Sequence, residues 1–538
     1  MLGRCIKNYF IYPPIFAVIL TVALWPYYSE GTLILGGEGN FFLDFSKNLE
    51  TLAYQWVSRF GLGYPNMAPG GNAANTLLLS KIEYATKSKE TVNFCLIFLL
   101  YYLPFLGMYL ATLEITKKSF FSFLIALFYL VNPYTLTFLS SLNQWNATAI
   151  AAMPFLFWVT YRYYQDNIKL FMYYGIMSAL FSFAYSNPPL SAIINISSLF
   201  VVYLISYYHN GKLAPMEFIR KYSLVLFSFV LFNSWWLLNL FNIVDDALKI
   251  YSVPFATAWL EQTVAYAAAP IAKGFTLTHI TPAAEWDFLG AHYHSFPAQI
   301  ITLLPLILAT YIIFFVNDKS HAKFNLHLFA VVLLMIFLTK GSGEPFGGVY
   351  VFLFKNIPFF NIFKTPIEKF GLLYIVFFTI LILFVFHSIK EHPIYKKILT
   401  LFAIYLLFCA IPIFTGNIIP DQRIYVDGIA SRIYKDKPEY QNLRNSINKD
   451  PLVYRVLSLP GMGNYQMLIK TREKTYYTGI DPILFNSHKP ILEAHNTQVK
   501  PIFFDLLNES SNVYSLLNVG KLVVNPELIP WFGRIGEV

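Results

Sequence analysis

The 538 residues are 56% hydrophobic and only 13% charged, with a mean hydropathy of +0.50. A soluble domain carries about a quarter charged residues, so this composition excludes an ordinary water-soluble globule. The formal charge of +9 is scattered between apolar runs, which gives no basic patch for nucleic acid, and the three cysteines (Cys5, Cys95 and Cys409) form neither a disulfide framework nor a C-x-x-C site.

Runs long enough to cross roughly 30 Å of hydrocarbon recur along the chain. They are expected near 9–27, 92–113, 119–139, 147–163, 170–186, 190–207, 222–242, 297–316, 326–340, 370–388 and 397–415, which makes about eleven transmembrane helices. Arg4 and Lys7 precede the first run as in a signal peptide. No small-residue cleavage site follows, and Pro13-Pro14 interrupts the run, so it reads as an uncleaved first helix. Short basic connectors (Lys117/Lys118, Arg162/Lys169, Lys212/Arg220/Lys221, Lys319/Lys323, Lys390/Lys396/Lys397) alternate with connectors that are uncharged or long. Basic short loops stay cytoplasmic. The N-terminus is therefore expected in the cytoplasm, and an odd number of spans puts the C-terminal segment outside.

Loops 28–91, 243–296 and 341–369 and the tail 417–538 then share the outer face. A transporter usually has short loops on both sides and binds its substrate at mid-membrane. Mass concentrated on one side suggests chemistry at the outer membrane–water boundary instead. Residues 1–416 read as one polytopic membrane domain, and 417–538 as a small extracytoplasmic α+β domain. In the tail, runs such as Tyr454–Leu459 and Lys521–Val524 alternate with turn signals at Gly461–Asn464 and Gly479–Pro482. The tail stops soon after a strand, as expected of a chain without the further domains of longer relatives.

In the first outer loop, Glu38 and Asp44 lie in or beside a Gly-rich turn (Gly36-Gly37-Glu38-Gly39) that lets backbone approach a ligand. After Asp44, Phe45, Leu49, Leu52, Ala53, Trp56 and Phe60 fall at helical spacing, which predicts an amphipathic helix in the interface plane. Asp44 is placed to cap that helix, to act chemically, or to do both. Loop 243–296 holds His279, Glu285, Asp287, His292 and His294. This is donor chemistry for a divalent metal, but without supporting spacing it reads better as solvated loop polarity. In loop 341–369, Gly and Pro punctuate an interfacial or re-entrant segment, and Lys364 and Lys369 stand at the mouth of the next helix. Cations at that depth either hold a lipid phosphate or snorkel to headgroups.

An acidic first outer loop, an interfacial helix, and a late loop ending Pro358-x-x-Asn361-x-Phe363-Lys364-x-Pro366-x-x-Lys369-Phe370 together resemble membrane glycosyltransferases of the GT-C fold. The likeness is to the large arabinofuranosyltransferases of actinobacterial cell walls and related multispanning bacterial and archaeal proteins. Members often have Arg where this chain has Lys364. The resemblance implies an inverting glycosyltransferase of the plasma membrane that takes a sugar from a polyprenyl-phosphate donor. The acceptor would be an extracytoplasmic glycan, lipid or protein. A first-loop carboxylate, Asp44 or Glu38, would be the general base, and Lys364 and Lys369 would partner the lipid phosphate. The Asp-x-Asp pattern of metal-dependent oligosaccharyltransferases is not in the loop, so no metal or other cofactor is expected to be required. A non-catalytic lipid-linked glycan transporter or envelope-assembly scaffold is the alternative. It predicts facing charges at mid-membrane, where the apolar runs hold almost none.

Overall fold

The computed structural model describes residues 11–29, 31–34, 73–210, 214–240, 289–293, 295–316, 319–419, 433–435, 438–459, 467–470, 476–479 and 518–524, with short pieces at 49, 56–57, 64–65, 491–492 and 528–530. Most of these residues are helical. In chain order the longer helices are α1 (Tyr12–Leu24), α2 (Ala73–Thr86), α3 (Lys89–Thr116), α4 (Ser119–Val131), α5 (Pro133–Ser140), α6 (Gln144–Tyr163), α7 (Asn167–Leu180), α8 (Pro188–Asn210) and α9 (Pro215–Leu240). They continue with α10 (Phe296–Tyr311), α11 (Lys319–Thr339), α12 (Gly347–Asn356), α13 (Pro366–Ser388), α14 (Tyr395–Cys409) and α15 (Pro438–Lys449).

Six stretches among the described residues are long and apolar enough to span a bilayer: α3, α8, α9, α10 with its extension to Val316, α11 and α13. The consecutive pair α4 and α5, bent by 55°, makes a seventh if it is a single broken span. The other expected runs appear as helices that are shorter or more polar, namely α1, α6, α7 and α14. Their lipid-side faces are apolar all the same. Ile15, Val18 and Val22 on α1 and Leu401, Ile404 and Leu407 on α14 are exposed. Stripes of that kind suit lipid and would be an aggregation hazard in water. The chain is a multi-pass helical membrane protein.

The bend between α4 and α5 has a local cause. Pro133 has no N–H to continue the ladder. Asn132 takes over the break, donating from its side-chain amide to the carbonyl oxygens of Phe128 (3.0 Å) and Tyr129 (2.7 Å) and accepting from the Thr135 N–H at 2.9 Å. Helix α13 is the hub of the spanning helices. Of its apolar stretch, 94% is buried, against 33% for those of α9 and α10. Its neighbours approach closely where side chains are small, as small residues allow in lipid. A methyl group on Gly371 would meet the Tyr134 ring at 2.4 Å.

The chain divides into two compact units. One comprises 1–23, 98–140 and 145–418, and the other 24–97, 141–144 and 419–538. In the second, β1 (Thr32–Ile34) pairs antiparallel with β4 (Ile433–Lys435), so a piece of loop 28–91 shares a sheet with the tail. Asn93 caps that edge, accepting from Ile34 N–H at 2.8 Å and donating to Ile34 O at 2.9 Å. Further along, β5 (Arg455–Leu459) lies between β8 (Ile491–Leu492) and β9 (Val519–Val524), parallel to both. A separate antiparallel sheet has the order β10 (Leu528–Pro530), β6 (Met467–Lys470), β7 (Tyr476–Gly479).

The amphipathic helix expected from Phe45 to Phe60 does not run its predicted length. Trp56 and Val57 form β2, paired antiparallel with β3 (Tyr64–Pro65). An aromatic and a β-branched residue favour the pleated surface, and pairing with Tyr64 overrides the helical spacing. Leu49 is helical, and the remainder of that predicted helix, like Glu38 and Asp44, lies outside the described residues.

Candidate functional site

The late loop between α11 and α13 folds back on the head of α13. Helix α11 ends at Thr339, and Lys340 and then Gly341, with φ +61, follow in a turn. A side chain there would be strained by that backbone and would also meet Pro366 Cγ at 2.5 Å. The loop thus presses Gly341 onto Pro366, the first residue of α13. Gly347 opens α12 under a similar constraint, since its missing methyl would lie 2.0 Å from Ser342 O.

Helix α12 buries Tyr350 and Phe354 and exposes Val349 and Phe352, with Phe346 and Phe359 exposed beyond its ends. Apolar residues on both faces fit a helix lying between protein and lipid, as expected of an interfacial or re-entrant segment. Tyr350 donates its hydroxyl hydrogen to Phe363 O at 2.6 Å. A 3-10 turn, Phe360–Phe363, then packs its rings on Tyr350 and Phe370, with Phe363 and Phe370 centred 4.9 Å apart. This aromatic cluster fixes the approach of Lys364, which is half-buried and immediately precedes the Thr365 N-cap.

Helix α13 begins at Pro366, whose fixed φ and missing N–H suit the first turn. Lys369 falls within that turn and is buried, and its Nζ donates to Glu368 Oε2 at 3.2 Å. The two lysines predicted to act together are therefore on different elements. Lys364 closes the 3-10 turn and Lys369 belongs to the helix. They are near enough to influence each other: burial lowers the proton affinity of Lys364, the Lys369 charge lowers it further, and Glu368 opposes both. Free N–H groups at a helix start add positive potential to the same place. The arrangement can hold an anion at the membrane boundary.

Three contributors escape a reading of the sequence alone. Glu368 lies within the late-loop pattern, yet nothing in the pattern tells that it neutralises Lys369. Tyr134 of α5 donates to Ile367 O at 3.0 Å, a link across 233 residues. Lys340 looks like an ordinary cation at the end of a span, but it is only 3% exposed. Its Nζ donates to Gly343 O at 2.7 Å and stands 4.6 Å from the centre of the Phe337 ring.

Of the possible metal donors in loop 243–296, His292 alone is described. Its Nε2 is 3.1 Å from Phe408 O, and its ring stacks on Phe408 at 4.7 Å. Among the described residues no three His, Cys, Asp or Glu side chains gather as a metal site would require.

No protein-family model matches the sequence, and a search of curated proteins finds no match. Solved structures do match. The cryo-EM structure of arabinofuranosyltransferase AftD from mycobacteria superposes with a TM-score of 0.59 over 96% of this chain at 12% identity. That of its R1389S mutant, in one of two classes, superposes at 0.55 over 89%, also at 12% identity. The fold is shared. The chain spans 35% and 33% of the length of those two structures, about a third of the enzyme they represent. The likeness to large arabinofuranosyltransferases expected from the sequence thus has its counterpart in a shared fold.

Proposed function

We propose that this chain is a membrane glycosyltransferase that moves a sugar from a polyprenyl-phosphate donor to an extracytoplasmic glycan, lipid or protein acceptor. The observation that carries the reading is the lysine pair at the head of α13, Lys364 half-buried and Lys369 buried, beside an interfacial helix in a fold shared with an arabinofuranosyltransferase. In this reading the acceptor oxygen attacks the anomeric carbon from the face opposite the phosphate, with inversion. Asp44 or Glu38 takes the hydroxyl proton. The carbon–oxygen bond to the phosphate breaks, its electron pair stays on the phosphate oxygen, and Lys364 and Lys369 stabilise the growing charge. Neither a metal nor another cofactor is required. About eleven spans set the N-terminus in the cytoplasm and the tail outside, in the plasma membrane.

The test uses the full chain in lipid nanodiscs with undecaprenyl phosphate as probe. Saturable binding that is lost in the Lys364→Gln/Lys369→Gln double variant supports the reading, and equal affinity in the two proteins removes it. A transporter or scaffold would instead bind or move the lipid without transferring sugar to any acceptor.

A further inference from the structure

We infer that Glu368 is a specificity-determining residue of this site, whose carboxylate disfavours a doubly charged phosphate monoester and so selects a singly charged phosphodiester lipid. The inference rests on the lipid-phosphate reading above and names the charge of the substrate that this reading calls for.

An acidic residue in the first turn of a helix is ordinary, because it complements the helix dipole. Two observations set Glu368 apart. Its Oε2 accepts from Lys369 Nζ at 3.2 Å, and its charge is felt at Lys364. One carboxylate thus acts on both lysines, which puts it in the site. The same charge reaches Tyr134, whose hydroxyl donates to Ile367 O.

The pair with Lys369 is weakly held. Successive residues on a helix point about 100° apart, so sequence neighbours do not face each other, and the lysine side chain has to curl back to meet Glu368. Their contact at 3.2 Å is longer than a strong charge-assisted bond, which is roughly 2.7–2.9 Å. Lys369 is buried, whereas the Glu368 side chain is 31% exposed. The carboxylate is therefore the partner with room to turn away. It stands where an anion is needed, beside an ammonium that is costly to leave buried and unpaired.

A phosphate that takes over Lys369 still meets the charge of Glu368. Lys364, Lys369 and Glu368 together leave a net charge of +1. A sugar–phosphate–lipid diester carries one negative charge and balances it. A phosphate monoester loses its second proton at about pH 6, so above that pH it brings two charges, and the excess is left without a partner. In transfer, the diester is the donor and the monoester the product. Breaking the carbon–oxygen bond leaves the electron pair on the phosphate and adds the second charge, so the carboxylate that tolerates the donor expels the product.

The deciding measurement titrates the full chain in nanodiscs, at about pH 8, with undecaprenyl phosphate and with its methyl diester; undecaprenol is the uncharged control. Glu368→Gln keeps the shape and removes the charge. Each negative charge on the lipid then gains by a similar increment, so affinity is expected to rise about threefold for the diester and about tenfold for the monoester. Glu368→Asp keeps the charge and should keep the wild-type ratio of the two affinities. Because Glu368→Gln leaves the buried Lys369 unpaired, a second comparison removes both charges. Lys369→Gln against Glu368→Gln/Lys369→Gln, in which Lys364 alone meets the phosphate, should show the same shift of the ratio. A ratio that neutralising Glu368 leaves unchanged, or an equal loss for both phosphates, overturns the inference, because a carboxylate that merely holds Lys369 does not distinguish one charge from two. The underlying reading fails separately: wild type then binds neither phosphate better than undecaprenol.

Discussion

The hydroxyl of Tyr134 donates to the carbonyl of Ile367 at 3.0 Å, and the Tyr134 ring fills the space left by the missing side chain of Gly371. One residue of the broken α4–α5 pair thereby sets the position of the first turn of α13, where Lys369 stands. Gly371→Ala should force the two helices apart and destabilise the protein by about 1–3 kcal/mol, as overpacking does. It should also weaken binding of undecaprenyl phosphate. Tyr134→Phe keeps the ring and loses only the hydrogen bond, so about 1 kcal/mol is expected. Thermal unfolding in detergent compares the two. A Gly371→Ala protein as stable as wild type would show that the contact is not tight.

The lysine pair should leave a signature in pH. Burial and the Lys369 charge hold the Lys364 ammonium below the ordinary lysine range. Only its protonated form attracts phosphate, so raising the pH should weaken lipid-phosphate binding earlier than an exposed lysine would. Lys364→Arg stays charged and should move that alkaline loss to higher pH. Binding curves across the alkaline range test this, and identical profiles for the two proteins would exclude Lys364 as the titrating group.

The general base has a test that hardly alters shape. Asn caps a helix about as well as Asp, so Asp44→Asn separates capping from proton transfer. If Asp44 is the base, transfer should slow roughly 100-fold. Glu38→Gln is the parallel variant. Transfer rates of the purified protein decide between them, and full activity in both would leave the first loop without a base.

The tail carries its own pH dependence. Asp450 accepts from Leu452 N–H at 3.1 Å, from the Tyr454 hydroxyl at 2.9 Å and from Lys521 Nζ at 3.1 Å. These bonds, the Leu452 N–H first, hold its carboxyl down at about 2 against an ordinary 3.8. The folded form therefore favours the ionised acid. The stabilisation is fully present above the ordinary value and disappears as pH falls through about 2. Asp450→Asn should melt below wild type at neutral pH, with the gap closing in strong acid. A gap that persists unchanged there would show that it arises from shape rather than charge.

Orientation is open to labelling. In a background without native cysteines, a cysteine at Ser446 or Ser88 should react with an impermeant maleimide on intact cells, and one at Ser320 should not. Reaction at Ser320 alone would invert the topology and remove the extracytoplasmic chemistry with it.

Some of this protein is written in local chemistry and needs no partner to be read. Apolar length determines that α3, α8 and α13 lie in a membrane, because each satisfies its own backbone bonds. Pro366 determines where α13 starts, since it supplies the φ of a first turn and needs no N–H partner. The β-branched and apolar run at Arg455–Leu459 is a strand for similarly local reasons. Other features were decided only by partners elsewhere in the chain. Trp56 sits at helical spacing yet becomes a strand, because its partner across the pair is Pro65. Lys340 and Lys117 each follow a long helix, but Lys117 is exposed and pairs with Glu114, whereas Lys340 is buried where Gly341 meets Pro366. Nor does the chain show that Tyr134 would reach Ile367. Spacing along one helix reports which face a residue occupies, while burial depends on what packs against that face, and the partner of Tyr134 is 233 residues away.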